Sequence, residues 1–266
     1  MGDQPTDEKP VDPNQQVATV PQGTQALTAV FGDLDDQAGS GFEHMVPSRD
    51  MLIPRVTILQ ALSPQLDKRK PAQYLDGARA GDICDVSSGT IFEAPLRVVL
   101  ATFKVLYLEW APRSTGKGLA AIHEIEPKDT ITDPASNKRV RPNGNLVVMS
   151  AQYYGVLPDH ECKKVFIPMS STQFKKAKAW NNKLADERFV GKDGTKKQAP
   201  IYFRSWDLGV APESNNQGSW EGWLIQPGPL TGSLPNAFEV AKAVKELQIA
   251  VHEGIARVEQ EEGEAF

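Results

Sequence analysis

Apolar residues along the chain follow two patterns. From about Leu52 to Gln226 they come in short runs divided by Pro, Gly, Asn, Asp and Ser, which is the mark of strands and turns. After Asn236 they recur every three or four residues, which is the mark of one helix. Ile53–Gln60 is an apolar segment stopped by Ser63-Pro64. Tyr74–Gly81 reads as turns, and Gly81–Val86 as a short strand closed by Ser87-Ser88-Gly89. Ile91–Trp110 carries the clearest β signal: Val98, Val99 and Val105, with Phe92, Phe103, Tyr107 and Trp110, suit a pleated surface. It is too long for one ordinary strand, leaving two strands or one long bent strand of the kind small barrels use. Pro112–Asn145 is polar and broken, an excursion with a hairpin around Asp133-Pro134. Asn145–Leu157 and Cys162–Met169 predict an antiparallel pair turned at Pro158-Asp159-His160.

Ser170-Ser171 open a helix over residues 170–187, with Phe174, Ala177 and Leu184 on one face and Lys175, Lys176 and Lys183 outward. Phe189–Ala199 reads as a Gly/Lys loop. Pro200–Asp207 and Ser219–Gln226 read as strands, joined by a flexible loop at Glu213–Gly218, and Pro227–Pro235 as a linker. Asn236 and Glu239 resemble a capping box. Val240, Val244, Leu247, Val251, Ile255 and Val258 then form one apolar helical face, which packs on the barrel or pairs between subunits of a homo-oligomer.

Charge changes this picture. The 266-residue chain has a formal net charge of −5, yet Lys163–Trp206 holds eleven bases against three acids. The bases are Lys163, Lys164, Lys175, Lys176, Lys178, Lys183, Arg188, Lys192, Lys196, Lys197 and Arg204. Among them sit Phe166, Phe174, Trp180, Phe189, Tyr202, Phe203 and Trp206. Cations track phosphates and rings stack on unpaired bases, so this mixture suits single-stranded nucleic acid better than a duplex, whose base faces are hidden. Phe174, Trp180, Tyr202, Phe203 and Trp206 are the stacking candidates. Alternation along 201–206 would set Tyr202, Arg204 and Trp206 on one face and turn Phe203 into the core. Any one of these residues has an ordinary alternative, as a solvated lysine or a core aromatic; it is their concentration against the chain's overall sign that carries information.

Both ends are acidic. Residues 1–45 are rich in Gln, Pro, Asp, Gly and Thr and are expected to be a disordered arm, save a short helix or apolar peg at Gln25–Leu34. Residues 259–266 (EQEEGEAF) form an acidic run ending in an aromatic. Glu259, Glu261, Glu262, Glu264 and Phe266 would engage a partner's basic-rimmed apolar pocket. No apolar run approaches a bilayer span and no signal pattern opens the chain, so a cytoplasmic protein without membrane contact is expected. The two cysteines, Cys84 and Cys162, fit a reducing compartment.

A basic, aromatic-lined middle with an acidic tail ending in Phe resembles the single-stranded DNA-binding proteins of bacteria and tailed phages. A closer resemblance is to tailed-phage DNA-binding proteins, carried by IPRVTILQALSPQ (Ile53–Gln65), YLDGARAGDI (Tyr74–Ile83), LYLEWAPR (Leu106–Arg113) and MSSTQFKKAKAWNNKL (Met169–Leu184). The resemblance implies a mainly β fold with helical additions: an elaborated OB-like antiparallel barrel. The domains would be an arm over 1–45, a DNA-binding domain over 46–230, a helix over 231–258 and a tail over 259–266. It implies a coat on single strands in phage replication or recombination, in the cytoplasm of an infected host, with replication or transcription proteins recruited by the tail. The excursion at 112–145 and the acidic arm have no counterpart in a minimal OB barrel.

Other chemistries find little footing. His160 and Cys162, with Cys84 and His123, could make four metal ligands, but no CxxC is present, and a turn histidine with a half-buried cysteine is the expectation. Ser114–Gly118 contains Gly-Lys without the remaining P-loop residues. Glu124 and Glu126 lack a second acidic cluster, and no catalytic constellation is found. Neither enzyme activity, metal nor cofactor is therefore expected. The rivals are a transcription factor binding promoter single strands and recruiting an RNA polymerase, a metal-dependent DNA enzyme, and an assembly protein without nucleic acid.

Overall fold

A computed structural model describes residues 52–253 apart from Gln217, together with Arg257 and Val258. The expected arm over 1–45 and tail over 259–266 lie outside the described residues. Short strands β1 (Leu52–Ile53), β2 (Val56–Ile58), β3 (Ile83–Asp85) and β4 (Thr90–Phe92) precede the long β5 (Leu96–Trp110). The excursion holds β6 (Leu119–His123), β7 (Ile131–Thr132) and β8 (Arg139–Val140). β9 (Leu146–Leu157) and β10 (Lys163–Ser170) follow, then helix α1 (Phe174–Asp186) and the short pair β11 (Arg188–Val190) and β12 (Lys196–Gln198). β13 (Arg204–Asn215), β14 (Gly218–Leu230), helix α2 (Ala237–His252) and β15 (Arg257–Val258) complete the order.

The fold is mainly β, and its principal sheet curls into a half-barrel. β5 and β9 pair antiparallel along their length and serve two sets of neighbours. At one end the order is β14-β13-β5-β9-β10; at the other, β6 joins β5 while β8 and β7 extend from β9. The antiparallel meander β2-β3-β4 continues the curl, since Arg55 bridges Phe166 of β10 in parallel. Two side-chain amides then tie this segment and the start of α1 to the free edge of β14. Gln60 donates to the Glu221 carbonyl (3.0 Å) and accepts from its N–H (2.9 Å). Gln173 donates to the same carbonyl (2.8 Å) and accepts from the Trp223 N–H (3.2 Å). A primary amide offers one acceptor and donors beside it, so it can satisfy a strand edge as a peptide would.

Alternation along the strands feeds two cores. Leu96, Val98, Leu100, Tyr153, Val165, Ile167 and Met169 face inward, where α1 adds Ala177 and Trp180, and Trp206, Leu208 and Trp223 close the packing. Val99, Ala101, Tyr154, Val156 and Phe166 face the other way and bury against Val240, Val244, Leu247 and Val251 of α2. Helix α2 therefore packs on the sheet, one of its two expected placements.

Several expectations are refined. Ile91–Trp110 holds both a short strand and a long one: β4 ends at Phe92, and β5 carries an irregularity between Leu100 and Thr102. The hairpin near Asp133-Pro134 is β7–β8, and β9–β10 is the expected antiparallel pair. The Gly/Lys loop is itself a hairpin: Arg188 faces Gln198 and Val190 faces Lys196 across a turn in which Asp193 accepts from Thr195. β13 runs from Arg204 to Asn215 and β14 from Gly218 to Leu230, so the two strands take in the first four residues of the expected linker and all but residues 216–217 of the expected loop. The capping box does not form, because the Asn236 amide donates instead to the Pro158 carbonyl at 2.8 Å. The helical face ends at Val251, since α2 ends at His252 and Val258 lies in β15, parallel to β1.

Candidate nucleic-acid interface

Helix α1 and the β11–β12 hairpin form one continuous basic segment. Lys175, Lys178, Lys183, Arg188, Lys192, Lys196 and Lys197 are all exposed. Phe174, Ala177, Trp180 and Leu184 turn toward the core, which leaves the lysines of the amphipathic helix at the surface. The hairpin is anchored by Phe189, whose ring lies 5.9 Å from that of Phe203. Among the described residues the side chains of Lys175, Lys192 and Lys196 make no ion pair or hydrogen bond. Lys178 sits over the Phe174 ring, 5.2 Å from its centroid. Lys197 pairs with Asp193 at 2.9 Å across an exposed turn, a contact of little energetic weight.

Other predicted contacts are already engaged. Lys163 reaches the fully buried Asp85 at 2.7 Å and Lys164 reaches Glu246 at 3.0 Å. Lys176 pairs with Glu213. Lys183 donates to the Ile225 carbonyl (2.9 Å), and Arg188 to the carbonyls of Ala185 and Glu187. Arg204 is held between Glu187 (2.6 Å) and the Gly228 carbonyl (2.6 Å). Asp85, Glu213 and Glu246 come from outside the basic stretch, so folding neutralises part of an excess that sequence order alone leaves intact. Burial raises the carboxyl pKa of Asp85, but the Lys163 ammonium and the Ser88 hydroxyl outweigh it, and the group sits below the usual range.

The stacking candidates separate. Trp180 and Trp206 are each 1% exposed and pack edge to face with ring centroids 5.9 Å apart. Both are core residues, so the expected trio of Tyr202, Arg204 and Trp206 is corrected: Trp206 is enclosed, Arg204 is ion-paired, and Tyr202 is left at 42% exposure. The trio fails because residues 201–203 form a turn, so strand alternation does not extend back to them. Phe174 and Phe203 are half-buried.

A second aromatic surface escaped the sequence reading. Between Leu100 and Thr102 the register of β5 against β9 slips by one residue, so Ala101 is extra. One extra residue reverses the alternation that follows it. Phe103, Val105 and Tyr107 therefore lie on the inner face instead of continuing Val99 and Ala101 toward α2. Phe103 stacks on Tyr153 (5.7 Å) and is 38% exposed, as is Met149, which stands opposite Tyr107. The stripe adjoins α1, since the Tyr153 hydroxyl reaches the Ala177 carbonyl (3.1 Å) and Asn181 Oδ1 (2.7 Å). Knowing where the bulge falls would have revealed it.

Beyond the stripe lies a polar knot. The Glu109 carboxylate, 3% exposed, accepts from Asn145 (2.6 Å), Arg141 (2.8 Å) and Asn143 (3.3 Å), and lies 2.7 Å from His123 Nε2. Burial pushes its pKa up, but these donors outweigh it and hold the group at about 2. Arg141 also grips Asp129 at 2.9 Å, which fastens the excursion to β5. His123 is thus committed here, while His160 packs edge-on to Phe92 and Cys84 is buried with its thiol pushed up to about 11. Cys162 is half-buried beside Asn236. The four considered metal ligands are dispersed, and among the described residues no group of three or more His, Cys, Asp or Glu is placed to hold a metal ion. No helix among the described residues is long and apolar enough to cross a membrane.

Neither a curated protein nor a solved structure gives a significant match to the chain. The family described as Pam3 phage gp34-like protein matches residues 22–252, which takes in both cores, the basic segment and the excursion. The chain belongs to the Pam3 phage gp34-like protein family.

Proposed function

We propose that the protein binds single-stranded DNA through α1 and the β11–β12 hairpin, in phage replication or recombination. The observation that carries this reading is the run of seven exposed bases from Lys175 to Lys197, in a chain of net charge −5. Half-exposed Tyr202 follows the hairpin, and the Phe103–Tyr107 stripe flanks the helix, so cations for phosphates lie near rings for bases. A curled antiparallel sheet with a long bulged strand is compatible with an elaborated OB-like barrel, and membership of a phage family with a phage role. The acidic residues Glu259, Glu261, Glu262 and Glu264 are proposed to recruit a replication or transcription protein.

The test is a titration of fluorescent oligo-dT and matched duplex at several salt concentrations. Tight single-strand binding, weak duplex binding and a log–log salt slope of about −0.7 per phosphate contact are expected. The double substitution K192E/K196E, at exposed lysines without partners among the described residues, weakens binding and flattens the slope without changing the fold. Equal affinity for duplex would overturn the single-strand preference, and no binding at low salt would overturn the reading.

A further inference from the structure

On the sheet face that also carries α2, a cleft of about 370 Å³ lies between the strands and the Arg55–Gln65 segment. That volume falls within the range of small-molecule sites. Its walls include Leu108, Trp110, Ser150, Gln152, Phe166 and Trp220. Two of them carry polar atoms without a partner among the described residues. The Ser150 hydroxyl is fully buried and the Trp110 indole N–H belongs to a residue 6% exposed; among the described residues neither has a hydrogen-bond partner. Buried donors are nearly always satisfied; the Trp180 and Trp206 indole N–H groups also lack a partner among the described residues but lie in the packed core, whereas Ser150 and Trp110 line a cleft that a ligand can enter. The Gln60 and Gln173 amides also line the cleft, but their hydrogen bonds to β14 leave them rigid.

The lining indicates the ligand's chemistry. Arg55 is the only charged side chain among the described lining residues, and the rest are apolar, aromatic or neutral polar. Such walls suit an uncharged flat ring with carbonyl acceptors; they give a bare phosphate or an acidic peptide little to bind. The cleft lies on the sheet face opposite the Phe103–Tyr107 stripe and meets the basic segment at the start of α1, where Gln173 lines it. The Trp220 indole N–H donates to Glu213 (3.1 Å), and Glu213 pairs with Lys176 of α1. Ser150 stands opposite Leu106, four residues before Trp110 in register, roughly 13 Å along the strands.

We propose that the cleft receives bases of the bound single strand, with ring carbonyls accepting from the Ser150 hydroxyl and the Trp110 indole N–H. This rests on the single-strand reading above and adds a base preference to it: thymine's carbonyl oxygens project from the ring toward recessed donors, whereas adenine's acceptors are nitrogens set within the ring.

The experiment measures affinity of the full chain for oligo-dT, oligo-dA and an abasic oligomer of equal length, with S150A and W110F as variants. Loss of one hydrogen bond to an otherwise unpaired buried donor is expected to weaken oligo-dT binding by roughly five- to tenfold in each variant. Binding of oligo-dA and of the abasic oligomer stays unchanged. Because the Ser150 hydroxyl has no partner among the described residues, S150A should melt with the parent protein, which separates lost binding from lost fold. Oligo-dT affinity unchanged in both variants would overturn the cleft while leaving single-strand binding in place. If no oligomer binds, the single-strand reading falls, and free thymidine followed by saturation-transfer NMR reads the cleft alone. Transfer seen in the parent and lost in both variants upholds it; equal transfer in all three, or none in the parent, overturns it.

Discussion

Trp206 shows how burial decides the role of a side chain whose chemistry would serve either purpose. It is 1% exposed against Trp180, so W206A removes a core indole and should cost about 3–5 kcal/mol of stability, read by denaturant unfolding. Loss of DNA binding in that variant would then follow loss of fold. Y202A is the informative partner: at 42% exposure its ring can leave without a cavity, so oligo-dT affinity should fall while the melting temperature holds. Glu109 makes a pH prediction. Its folded-state pKa of about 2 lies below its ordinary 4.5, so the stability it contributes is fully present above 4.5 and is lost as pH falls toward 2. Acid titration of the unfolding free energy should show this loss in the parent and less of it in E109Q. At neutral pH the same variant should also be less stable, because the Arg141 guanidinium loses one of its two anionic partners.

At the scale of elements, two devices give the sheet its form. The bulge at Ala101 turns Phe103 and Tyr107 inward and frees Thr102 and Lys104 to meet α2, where the Lys104 ammonium donates to the Val251 carbonyl at 3.3 Å. A cation at a helix C-terminus complements the partial negative charge there. The glutamine seam closes the other side. Removing Gln60 and Gln173 together strands the N–H and carbonyl of Glu221 and the N–H of Trp223. The double variant Q60A/Q173A should lose about 2–4 kcal/mol, with faster amide exchange at Glu221 and Trp223. The Phe189–Phe203 ring contact ties the β11–β12 hairpin to the chain before β13, so F189A should loosen exchange in 188–198 and leave the two cores protected.

Across the whole molecule, patterning and charge were legible before any coordinates. Alternation predicted the β9–β10 pair, and the three-four spacing predicted α2, because burial of an apolar face follows local periodicity. The concentration of bases in Lys163–Trp206 is likewise a property of order alone, and seven of them do reach the surface of α1 and the hairpin. Which bases stay available was not legible. Lys163, Lys164 and Lys176 meet Asp85, Glu246 and Glu213, acids between 37 and 82 residues away, and only the fold sets those distances. The same holds for the aromatics. Trp180 and Trp206 are core, whereas Tyr202 and Phe103 are half-exposed. The strand and helix periods and the sign of the central surface follow from residue order, because both depend on near neighbours. The bulge phase, the ion-pair partners and the two cleft donors left without a partner among the described residues come from tertiary structure, because each depends on residues that meet only after the sheet has curled.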